Sequence, residues 1–95
     1  MKFSITTTCC LFFLLLGTIQ AQNVGIGTNN PALSAKLDIE AIDKGVLIPR
    51  ISIPNLNGAA PVATPATSLL VYNTNTATGE GFHYWNGIQW VKLVD

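Results

Sequence analysis

Residues 82–91 read FHYWNGIQWV. Asn86-Gly87 between two β-rich runs is the favoured two-residue hairpin turn, because both central residues must reach positive φ. Such a turn sets the register. Trp85 faces Ile88, Tyr84 faces Gln89, His83 faces Trp90 and Phe82 faces Val91. One face then carries His83, Trp85, Ile88 and Trp90; the other carries Phe82, Tyr84, Val91 and Leu93. Both are largely apolar, whereas a hairpin wet on one side shows polar residues there. The expectation is cover on both sides, by the rest of the chain on one and by another chain on the other. Four of the five aromatic residues after residue 21 sit here, so the hairpin should dominate the packing energy.

Upstream, Leu69-Leu70-Val71-Tyr72 reads as a further strand, closed by the polar tract Asn73–Gly79. With the hairpin it makes a three-strand meander from Leu69 to Val94. Residues 54–68, PNLNGAAPVATPATS, shift in composition to proline, small residues and Thr/Ser. Pro61 and Pro65 oppose a helix, and the tract reads as an extended connector with little to bury.

Before it, residues 22–53 read as short strands and turns. Val24 and Ile26 alternate with Gly25 and Gly27, and Thr28-Asn29-Asn30-Pro31 turns the chain. Leu37, Ile39 and Ala41 point one way while Lys36, Asp38 and Glu40 point the other, the period of a half-buried strand. Val46-Leu47-Ile48 is a β-rich run in which Pro49 implies an edge or a bulge before Arg50–Ile53. The fold class expected is all-β: an N-terminal β segment over 22–53, the connector over 54–68, and the meander over 69–95, with little or no helix after the signal.

Residues 1–21 read as a cleaved secretory signal, drawn as a helix, with Lys2 before the apolar run Cys9–Leu16 and Ala21 at the cut. The run is shorter than the roughly 20 apolar residues of a membrane span. Both cysteines, Cys9 and Cys10, lie inside it, away from the position a lipid anchor needs. The exported chain therefore has neither disulfides nor a membrane span, and is expected in the periplasm, on the outer surface or in the medium. It holds Lys36, Lys44, Arg50 and Lys92 against Asp38, Glu40, Asp43, Glu80 and Asp95, one net negative charge. That balance opposes an electrostatic nucleic-acid or membrane-surface binder. No Cys/His cluster or Asp-rich calcium loop stands out, so neither metal nor cofactor is expected.

Taken together, GIGTxxP, KLDI, KGVLIPR, LLVYNT and YWNGxxW resemble a module found near the N-terminus of many bacterial secreted and surface proteins. GIGTxxP followed by KLDI is also similar to segments of phage tail-fibre-like and adhesin-like stalks. The resemblance covers nearly all of the chain after residue 21. It implies an extracellular, β-rich, repetitive or oligomeric structural module, and it brings no enzymatic chemistry to these positions. Such modules lead into longer proteins, so a truncated fragment is a further expectation.

Sharper readings of single motifs are weaker. Gly25-Ile26-Gly27 lacks the third glycine and the following helix of a dinucleotide loop. His83, the sole histidine, has no nucleophile in a shared motif and reads as packing. Asp38 and Glu40 share their strand face with Lys36 and read as a solvated, charge-balanced surface. The aromatic residues Phe82, Tyr84, Trp85 and Trp90 are the candidate contacts. The leading expectation is a non-enzymatic structural or interaction module that pairs with its own copies or another surface protein. The alternative is a carbohydrate-binding module in which Trp85, Trp90 and Tyr84 stack on sugar rings.

Overall fold

The computed structural model describes residues 23–94, and the expected signal segment lies outside them. Every regular element among the described residues is a strand. The order is β1 (Val24–Ile26), β2 (Leu37–Ile39), β3 (Arg50–Ile51), β4 (Leu70–Asn73), β5 (Gly81–Trp85) and β6 (Trp90–Lys92). The all-β expectation holds. The chain divides between Gly45 and Val46 into two units, each with its own sheet.

The first unit is a parallel pair, with Val24 opposite Leu37, Gly25 opposite Asp38 and Ile26 opposite Ile39. The Val24 amide donates to the Lys36 carbonyl (2.7 Å) and the Glu40 amide to the Ile26 carbonyl (2.9 Å), locking both ends. The glycines of GIGT are spatial requirements. A Cβ on Gly25 would sit 2.7 Å from Pro31 Cγ, and one on Gly27, whose φ is +78°, would sit 2.1 Å from the Glu40 carbonyl oxygen. Gly25 thus lets the loop fold back over the strand, and Gly27 makes room for the backbone of Glu40 as the chain leaves β2.

The second unit is a four-stranded sheet in the order β3-β4-β5-β6. The three C-terminal strands form the expected antiparallel meander, and β3 joins β4 in parallel as an edge strand. Arg50 and Ile51, expected with the N-terminal segment, therefore belong to the C-terminal sheet. Pro49 sits where its missing N–H is not needed, and its carbonyl accepts from the Tyr72 amide at 2.9 Å.

The hairpin register differs from the expected one. Trp85 pairs with Trp90, Tyr84 with Val91 and His83 with Lys92, leaving a four-residue loop, Asn86–Gln89. Gly87 takes positive φ (+101°) and Asn86 does not, so the two-residue mirror-image turn is not formed. Instead Asn86 Oδ1 accepts the amides of Ile88 and Gln89, both at 2.8 Å. The physical gain is a direct Trp85–Trp90 cross-strand pair, with ring centroids 5.1 Å apart and planes at 66°. Ile88 is expelled to 78% exposure.

The core lies on one face of this sheet. Ile53, Val71, Trp85 and Trp90 are its buried apolar members, with Ile51, Leu56, Ala59 and Val62 packed against them. Leu56, Ala59 and Val62 come from the connector, which is therefore a strap across the core and not an idle spacer. Trp90 ties it down twice, its amide donating to the Leu56 carbonyl (2.8 Å) and its indole N–H to that of Ala59 (3.3 Å).

Candidate interaction surface

Each sheet has a covered face and an open one. In the first unit, side chains of β1 and β2 alternate across the pair. Gly25 and Asp38 share the face against which the loop folds: Pro31 and Thr28 crowd Gly25, and Asp38 Oδ2 accepts the Ala32 amide at 2.8 Å. Val24, Ile26, Leu37 and Ile39 share the opposite face and remain 50%, 54%, 55% and 39% exposed. The sequence pattern of β2 led to the reverse expectation, with the aliphatic side inward and Asp38 in water. No residue from 23 to 45 is buried.

In the second unit, the inner face holds Val71, Asn73, His83, Trp85 and Trp90 under the strap. Two of these are polar and fully buried. Asn73 is satisfied by its surroundings. Its Oδ1 accepts the amides of Ile53 (2.9 Å) and Asn75 (3.1 Å), and its Nδ2 donates to the Gly79 carbonyl (2.8 Å) and Thr78 Oγ1 (3.0 Å). His83 Nδ1 lies 2.9 Å from the Gly81 carbonyl, while its Nε2 has no partner. Sealed in this way, the imidazole reaches no substrate, in keeping with a packing role. It stands opposite Lys92, not Trp90 as expected.

The outer face is apolar across three strands. Register places Leu70, Tyr84 and Val91 in one row and Tyr72 and Phe82 in the next. Leu93 extends that second row, its amide donating to the Phe82 carbonyl at 2.9 Å. Tyr72 and Phe82 meet edge to face at 5.2 Å. Val46, Leu47, Ile48 and Arg50 flank them and complete a groove of about 170 Å³. That volume takes one or two aliphatic side chains, well short of the ~300–1,000 Å³ of a small-molecule site.

The four candidate aromatics are thus split. Phe82 (46% exposed) and Tyr84 lie on the outer face, while Trp85 (8%) and Trp90 (2%) are inside. The indoles form no open stacking platform, because pairing them directly across β5 and β6 satisfies the core first. Sequence reasoning missed the open face of β1 and β2. The signal was present in the alternation of Val24, Gly25 and Ile26, but the sequence did not show which face the loop would cover. Asp38, expected on a solvated, charge-balanced surface, instead fixes that loop through the Ala32 amide.

Among the described residues, no group of three or more His, Cys, Asp or Glu is placed to hold a metal ion, and no helix is long and apolar enough to cross a membrane. Residues 25–95 match a family model described as phage tail like trimerisation region. No curated protein and no solved structure matches the chain.

Proposed function

The chain belongs to the phage tail like trimerisation region family; from that membership we propose that it is a non-enzymatic building block that joins its own copies into a fibre-like assembly, and from its first 21 residues that it is exported. One observation carries the reading. Among the described residues, four apolar side chains are buried, while fourteen large ones stay exposed. Scattered exposed apolar residues are ordinary, but seven of these share one face of each sheet, Val24, Ile26, Leu37 and Ile39 on one and Leu70, Phe82 and Leu93 on the other, as surfaces that await a neighbour do. The near-neutral charge lets copies approach without mutual repulsion.

Export and a place at the cell surface rest on the signal-like residues 1–21 and on the resemblance to stalk segments. Phe82 and Tyr84 remain the proposed aromatic contacts with a partner, whereas a sugar platform has lost the two indoles it would need. The test is the mass in solution of the protein lacking residues 1–21, by light scattering across a dilution series. Three-chain particles that dissociate on dilution are expected; a monodisperse single chain at every concentration would defeat the proposal.

A further inference from the structure

We infer that the open face of β1 and β2, made by Val24, Ile26, Leu37 and Ile39, is a seam at which copies of this chain meet, and that residues 23–45 become ordered only when they do. The inference rests on the self-association proposed above and adds where it occurs and what it does to the fold.

Three observations point there. First, a parallel pair is normally buried on both faces, and an isolated two-stranded sheet is marginal in water. Here the pair stands without a single buried side chain. Second, its own loop has already taken one face, through Pro31 on Gly25 and the Asp38–Ala32 hydrogen bond. The remaining face holds four branched aliphatic side chains in two opposed pairs, Val24 with Leu37 and Ile26 with Ile39, and no charge. Third, the trimerisation match runs from residue 25, so it includes most of β1 and all of β2. A face without charged or hydrogen-bonding groups suits copies of itself when it lies on the three-fold axis, where the same side chains of three copies converge. The second unit differs, because it has a core of its own. Association then supplies to the first unit the burial that the single chain cannot, which is coupled folding and binding.

The two units can be read separately. Residues 23–45 hold no aromatic residue, so tryptophan fluorescence reports Trp85 and Trp90 alone. In the assembled protein, Ile26→Lys and Leu37→Lys should each reduce the mass from three chains to one while the fluorescence spectrum stays that of buried indoles. Ile26→Val should keep three chains. If the lysine variants remain trimeric, the seam lies elsewhere and the inference fails, although self-association stands. A wild-type protein that is monomeric throughout would instead defeat the underlying reading.

Hydrogen exchange of the unaltered protein gives a second arm, free of folding defects. The amides of Val24 and Glu40, both hydrogen-bonded across the pair, should lose protection on dilution, while those of Tyr72 and Trp85 keep theirs. Protection of Val24 and Glu40 that is independent of concentration would overturn the coupling of order to association.

Discussion

Asn73 holds more of the C-terminal unit together than its size suggests. Its side chain links the end of β4 to Ile53 at the start of the strap and to the Thr78–Gly79 turn that leads into β5. Replacing it with Ala would orphan the buried Ile53 amide, and buried groups left without partners are expensive. Asn73→Ala should lower stability by roughly 2–4 kcal/mol, measured by urea denaturation followed through Trp fluorescence. Tyr72 gives a subtler signal on the other face. Its hydroxyl donates to Glu80 at 3.0 Å, and that bond, with lost hydration and the nearby carboxylate charge, raises the phenol above its ordinary 10.0. The folded chain then keeps this proton after the unfolded chain has released it. The contribution is whole below pH 10 and fades as pH rises through the folded value. Tyr72→Phe should remove this part of the alkaline decline in stability, and Glu80→Gln should bring the phenolate titration back toward the ordinary value.

Among elements, the hairpin shows what a sequence carries and what it leaves open. Two β-rich runs around Asn86-Gly87 made the hairpin legible, and its faces came out right even though its register did not. The reason is the period of two: moving each pairing from Trp85–Ile88 to Trp85–Trp90 slides one strand by two residues, which leaves the side chains of β5 and β6 on their own sides and moves only Ile88 and Gln89 out into the loop. Turn chemistry favoured the tighter loop, but burying two indoles against each other outweighs a favoured backbone turn, and the Asn86 carboxamide holds the wider loop closed. Asn86→Ala should therefore cost about 1 kcal/mol, and Asn86→Asp, which keeps the acceptor, much less. Chemical denaturation of the two variants compares them directly. In the connector, proline, alanine and threonine describe a spacer by composition, and only the third dimension sets Leu56, Ala59 and Val62 against the core, with the carbonyls of the first two on Trp90. In the N-terminal pair, Gly27→Ala would drive a methyl into the Glu40 carbonyl at positive φ. It should abolish the protection of the Val24 and Glu40 amides, without disturbing the Trp fluorescence of the other unit.

For the molecule as a whole, the apolar pattern suggested that the chain exposes more apolar β-surface than it can cover, and the structure relocates that surface. The indoles are sealed inside, so the excess lies in the aliphatic residues of β1 and β2 and on the outer face of the meander. An association of this kind is hydrophobic, with little net charge on either partner. Raising salt to ~1 M should leave the assembly intact, since screening acts on charges, while moderate urea should loosen it. Sedimentation at low and high ionic strength distinguishes this from an ion-pair interface, which salt would weaken.

The strap has a practical corollary. Anyone shortening this protein, grafting a tag into it or fusing it to a cargo would choose residues 54–68 from their proline-rich, uncharged composition. An equal-length Gly/Ser spacer there would strip the apolar roof from the core and leave nothing to hold the backbone carbonyls at 56 and 59 against the Trp90 amide and indole N–H. The tolerant site for an insertion is the Ile88 tip, where the chain already projects into solvent.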